Sequence, residues 1–177
     1  SKKSIIQRNK EIKLVNSNYK FTSRYELNFH TGWLDQEPLT LLIKKIGEII
    51  KKNKINIVYT PFVNDAHSDH KAVFLATVAC CKSFRYPFIS SVRVYETLSE
   101  TELNLSVDNN GFKPNLWIDI SDFLEKKIEI MQNYSSEMGH HPFPRSEENI
   151  RALATLRGSS IAVKYAEAYI SIKEVIL

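Results

Sequence analysis

The chain has 177 residues, 43% of them hydrophobic, a net charge of +4, and no apolar run approaching the roughly 18 to 20 residues of a bilayer span. That length suits one domain over residues 1–177, with a single core and a soluble, cytoplasmic setting, and the polar start from Ser1 to Lys13 lacks the apolar stretch of a secretory leader. Residues 1–60 hold 12 Lys/Arg against 5 Asp/Glu, yet Lys44, Lys45, Lys51, Lys52 and Lys54 fall on the polar side of an amphipathic helix, which favours a solvated face over a nucleic-acid groove.

Ser4 to Val15 reads as a helix with Ile5, Ile6, Ile12 and Val15 on or near one side. Arg24 to Phe29 alternates Tyr25, Leu27 and Phe29 with polar neighbours and is predicted as a short strand. Pro38 opens a helix to about Lys52, and Ile55 to Thr60 reads as a buried strand ending at Pro61. A helix over about Asp69 to Lys82 and a strand from Ser91 to Glu96 follow. Cys80 and Cys81 are adjacent and set among apolar residues, so they read as buried free thiols rather than a disulfide or a site. Within Leu98 to Lys113 the one clear signal is the turn Asp108-Asn109-Asn110-Gly111. Leu116 to Ile120 reads as a strand. The next helix, about Ser121 to Tyr134, has Asp122 and Glu125 at capping-box spacing. Ser146 caps a last helix running to about Tyr165, with Glu147 and Glu148 favourably placed on its dipole. Strands and helices taking turns predict an α/β domain: Rossmann-like, three-layered α/β/α, with a mostly parallel sheet.

Chemistry concentrates between Tyr59 and His70, where a predicted strand ends and a helix begins, the usual ligand position of open α/β sheets. His67 and His70 at i, i+3 share one side of a first helical turn. One imidazole could hold a metal while the other faces a substrate, with Asp65 and Asp69 fixing the tautomers from behind. On spacing alone, a hydrated loop and helix cap is an equally good reading.

His67-Ser68-Asp69-His70 resembles the H-P-D-H segment of the LmbE-like (PIG-L) family of sugar de-N-acetylases. Further matches follow in order. Arg8 and Glu11 resemble its R-x-x-E pair, and Asn115 to Ser121 a later strand and helix start. Lys127 and Tyr134-Ser135-Ser136-Glu137 resemble K...Y-x-S-Q/E, and Arg157-Gly158-Ser159 with Tyr165 to Tyr169 resembles R-G...A-E-A-F. The resemblance implies a Zn2+-dependent hydrolase, other divalent metals being open, that removes the acetyl group from an N-acetylated amino sugar of the GlcNAc type. It implies His70 as a metal ligand, His67 as the group that stabilises the oxyanion or helps protonate the leaving amine, and Asp69 as the residue orienting His67. Arg8 and Asp35 are implied as holders of sugar hydroxyls, although Arg8 reads equally well as a surface partner of Glu11. His140 and His141 read as site entrance or exposed loop, and Arg157 as site or core partner.

Relatives carry an [A/P]-H-P-D-D-E motif after a first strand, supplying two zinc ligands and the base, and this sequence has no such motif. The expectation is a domain without its N-terminal strands, holding no stoichiometric zinc and showing no enzymatic turnover by itself. The alternative is a catalytically inactive family member that acts as a non-catalytic protein or is completed by a partner chain, and a homo-oligomer stays open.

Overall fold

The structure is a computed structural model that describes residues 2–105 and 111–176, so the turn at Asp108 to Gly111 lies largely outside the described residues. In chain order the elements are α1 (Lys2–Tyr19), a 3-10 turn (Leu34–Gln36), α2 (Leu39–Asn53), β1 (Ile57–Pro61), α3 (Ser68–Ala79), β2 (Ser91–Tyr95), β3 (Leu116–Asp119), α4 (Leu124–Met131), α5 (Glu147–Ser159) and β4 (Ala166–Glu174). Two compact units emerge: Ser1–Tyr25 with Trp117–Glu167, and Glu26–Leu116 with Ala168–Leu177. Among the described residues no helix is long and apolar enough to cross a membrane.

In the second unit, α2 and α3 pack together, and α3 also packs on β1. The helix pattern of α2 puts Leu42, Gly47 and Ile50 inward while its last turn ends in exposed Lys51 and Lys52. Ile50, Val58, Cys80, Ile89 and Val92 form one core cluster, and Leu42, Ala72 and Ala76 another. Both cysteines are free thiols; burial pushes them up, Cys81 to about 11, so they stay protonated at neutral pH. In the first unit, α1 packs on α4 and α4 on α5, burying Val15, Leu124, Ile128, Ile150 and Ala154.

The α/β class expected from the alternating elements holds, but the strand directions differ from the expected mostly parallel sheet. Four strands run in the order β1-β2-β4-β3. β1 and β2 are parallel, Ile57 opposite Ser91 through Pro61 opposite Tyr95. β4 runs antiparallel to β2. Asn115 N–H donates to the Tyr169 carbonyl and Ile120 N–H to that of Tyr165, so the ladder descends β4 as it rises along β3, which is antiparallel too.

β4 itself escaped the sequence reading, which carried the last helix on to Tyr165. The helix stops at Ser159 because the chain folds back over Gly158. A Cβ there would lie 2.6 Å from the Val163 carbonyl oxygen and 2.9 Å from the Lys164 carbonyl carbon. Beyond that turn Ala166, Ala168, Ile170 and Ile172 alternate with Glu167, Tyr169, Ser171 and Lys173, a strand period. The α5 start is as expected, with the Ser146 hydroxyl accepting from Asn149 N–H.

Two further expectations fail. Residues Arg24 to Phe29 form no strand: Asn28 takes a positive φ of 56°, which breaks extension, and the alternation instead lets Leu27 and Phe29 pack on the Leu42, Ala72 and Ala76 cluster. Lys45 secures this segment by donating from Nζ to the Leu27 carbonyl at 2.9 Å. The capping box at Asp122 and Glu125 does not form either. Helix α4 starts later, at Leu124, with no side-chain cap, and Glu125 instead accepts a bidentate pair from Arg151 at 2.5 and 2.7 Å.

Candidate functional site

The site lies in the second unit, on the loop that leaves the carboxyl end of β1 and enters α3. His67 is the N-cap of α3, with extended backbone, and its Nδ1 accepts the Asp69 backbone N–H at 3.2 Å. An N–H pointing into Nδ1 requires a lone pair there, so the neutral ring of His67 carries its proton on Nε2. His67 is therefore a hydrogen-bond donor at its free end.

His70, one helical turn on, has the opposite arrangement. Its Nδ1 lies 2.7 Å from Asp65 Oδ2, and that carboxylate is fully buried while the imidazole keeps 25% of its side-chain surface exposed. An ionised carboxylate can only accept, so His70 donates from Nδ1, and a neutral ring in that arrangement holds its lone pair on Nε2. The rings stack with centroids 5.3 Å apart and an interplanar angle of 15°. One loop thus presents an N–H and a bare ring nitrogen side by side.

Asp69 plays a different part from the one the resemblance implies. Its carboxylate does not reach the His67 ring. Oδ2 accepts from Gly32 N–H at 2.6 Å and Oδ1 from Leu34 N–H at 3.0 Å. The reason is local: with the backbone N–H of Asp69 already capping the helix onto His67, its side chain turns to the neighbouring segment, where two orphan amides need an acceptor. The latched turn carries Asp35, exposed and accepting from Gln36 at 2.9 Å. Asp65, His67, Asp69 and His70 are thus brought together, with the Asp35 turn tied to them.

Arg8 lies in the first unit. Its guanidinium pairs with Glu137, stands 3.5 Å from Glu11 and covers the Tyr134 ring at 5.4 Å. Glu11 is buried at 1% exposure and accepts from Gln7, from the Ser135 hydroxyl, and from both the N–H and hydroxyl of Ser136. Burial alone would raise its carboxyl, but the Ser136 hydroxyl, Gln7, the Ser136 N–H and Ser135 outweigh it and hold the group at about 2. The Arg8/Glu11 and Tyr134 to Glu137 segments, separate in sequence, are one hydrogen-bonded cluster. His140 lines a cavity of about 520 Å³ in the same unit, with Gln132, Ser135, Glu147, Glu148 and Arg151 among its walls.

The family model PIG-L: GlcNAc-PI de-N-acetylase matches residues 2–81, the stretch that ends just beyond α3. Residues 2–81 are thus similar to the PIG-L family. Solved structures share the fold across nearly the whole chain. The conserved protein TT1542 from Thermus thermophilus superposes with a TM-score of 0.73 at 22% identity, over 97% of this chain and 75% of that one. N,N'-diacetylchitobiose deacetylase from Pyrococcus horikoshii gives 0.74 at 19% identity over 95% of this chain, which spans 64% of that protein's length. GalB, the 4-carboxy-2-hydroxymuconate hydratase from Pseudomonas putida KT2440, gives 0.66 at 12% identity over 97% of this chain and 73% of that one. At such identities the likeness establishes the fold.

Within the matched segment His70 has the arrangement of a metal ligand, an imidazole backed by a carboxylate on its other nitrogen. It fits as one ligand. Among the described residues no group of three or more His, Cys, Asp or Glu is arranged around a common metal position. Two residues near the His67 to His70 loop gave little sequence signal. Tyr95 ends β2 opposite Pro61, and burial, then the Asp65 charge, push its phenol up, keeping it a neutral donor. Thr101 donates its hydroxyl to Asp65 Oδ1 at 2.6 Å. Neither lies in a motif, because what places each is the end of β2 rather than a local pattern.

Proposed function

We propose that the protein is a metal-dependent de-N-acetylase that hydrolyses the acetamide of an N-acetylated amino sugar of the GlcNAc type, releasing acetate and a free amine. The observation that carries this reading is the pair of stacked imidazoles held in opposite tautomers at the carboxyl end of β1. The PIG-L family match over the same loop and the likeness to a chitobiose deacetylase support it.

Amide hydrolysis puts negative charge on the carbonyl oxygen and requires a proton for the departing nitrogen. His67 serves the first need as a neutral Nε2–H donor. Its Nδ1 is occupied by the Asp69 N–H and its Nε2 already holds the proton, so it cannot be the base that takes a proton from water. His70 offers its Nε2 lone pair to a divalent cation, zinc in this proposal, and Asp65 keeps that lone pair pointing outward. When bound, such an ion supplies Lewis-acid polarisation of the carbonyl. Asp69 acts by holding the turn that carries Asp35, and Asp35 is assigned to sugar hydroxyls.

The test is to express the natural reading frame in full and incubate it with zinc and a panel of N-acetylated amino sugars, measuring acetate and free amine separately. Equal amounts of both are expected. Water addition across a double bond without acetate, as a hydratase on this fold would give, refutes the proposal, as does the absence of turnover on every member of the panel.

A further inference from the structure

The buried carboxylate behind His70 is itself aimed by something, and the hydrogen bonds identify it. Asp65 has two oxygens, and only Oδ2 faces His70. Oδ1 accepts the Thr101 hydroxyl at 2.6 Å. That hydroxyl has its direction fixed from the far side, because the Thr97 backbone N–H donates to Thr101 Oγ1 at 2.8 Å. With a donor already pointing at the oxygen, the hydroxyl proton goes to the carboxylate. The turn is closed by Thr101 N–H donating to the Thr97 carbonyl at 2.9 Å, and it is pinned to the loop by Ala66 N–H donating to the Glu100 carbonyl at 3.0 Å. A directional chain therefore runs from Thr97 N–H through the Thr101 hydroxyl and Asp65 to His70 Nδ1–H, and its end is a bare Nε2.

We propose that Thr101 is a positioning residue for His70, and that the turn from Thr97 to Thr101, at the end of β2, sets which nitrogen of that imidazole is free. Asp65 has no solvent-exposed side-chain surface, so water does not stand in when the hydroxyl is removed. A threonine without its hydroxyl leaves Oδ1 and the Thr97 N–H both without this partner, and the carboxylate is free to turn. The inference rests on reading His70 as the metal-facing imidazole, but its readout does not require metal or turnover.

The experiment is 15N NMR of the imidazole nitrogens in the metal-free 177-residue chain, at a pH well above the ordinary imidazole range. His70→Ala assigns the His70 signals by their loss. Wild type is expected to show His70 with Nδ1 protonated and Nε2 bare. Thr101→Val should move the two nitrogen shifts toward each other as the second tautomer becomes populated, and Thr101→Ser should restore the wild-type pair. A Thr101→Val protein with an unchanged amide spectrum and unchanged His70 ring shifts overturns the proposal. So does wild type or Thr101→Ser with the proton on Nε2, and that arm decides the matter if Thr101→Val fails to fold. Acetate release scores separately: intact tautomers without turnover defeat the de-N-acetylase reading alone, while unshifted tautomers in Thr101→Val beside normal turnover defeat this inference alone.

Discussion

The Nδ1 atoms of His67 and His70 face partners of opposite kind: a backbone N–H at 3.2 Å for the first and a buried carboxylate at 2.7 Å for the second. From that single contrast follow two different free nitrogens, a donor and an acceptor, on rings stacked one helical turn apart.

Zinc titrated into the isolated 177-residue chain should bind below one ion per chain, because a catalytic zinc site takes about three protein ligands and the described residues align His70 alone. Equilibrium dialysis with metal analysis measures this. Stoichiometric, tight binding by the isolated chain would show that other groups complete the set.

Asp69→Ala removes a buried acceptor from two backbone N–H groups, those of Gly32 and Leu34. Leaving both without it costs about 2 to 4 kcal/mol, read as a lower urea midpoint, and it should raise amide exchange through residues 32–36 before exchange in α3 changes. A variant with wild-type stability and exchange would mean the latch carries nothing.

The Glu11 carboxylate is held at about 2 in the folded chain against an ordinary 4.5. A folded value below the unfolded one means the contribution is fully present above about pH 4.5 and is lost as pH falls toward 2. Wild type should therefore lose stability over that window more steeply than Glu11→Gln, whose amide does not titrate. Parallel acid-denaturation slopes for the two would rule this out.

Gly158→Ala sets a methyl against the Val163 and Lys164 backbone, which has no flexible end to yield. The cost is about 1 to 3 kcal/mol, in the range of overpacked sites, visible as a drop in Tm. A neutral outcome would require the turn after α5 to relax.

Much of this was legible along the chain, for reasons of range. Helix α2 and strand β2 follow from local periodicity, and the His67 to His70 loop from its place between a strand and a helix. The direction of β4 was not legible, since it depends on the return of the chain over Gly158, and Ala166 and Ala168 suit a helix as readily as a strand. Nor was the part played by Asp69: its partners Gly32 and Leu34 lie more than thirty positions upstream. Thr101 was hidden likewise, 36 residues from the Asp65 it holds.

The most direct test of the division of labour is to measure metal content and deacetylation rate together in His67→Ala and His70→Ala, made in the full natural reading frame. His70→Ala is expected to lose its metal. His67→Ala is expected to keep it while kcat falls about 100-fold or more, the size of one lost oxyanion donor. Equal metal loss in both variants, or an unchanged rate in His67→Ala, would contradict the assignment of one imidazole to the metal and the other to the developing oxyanion.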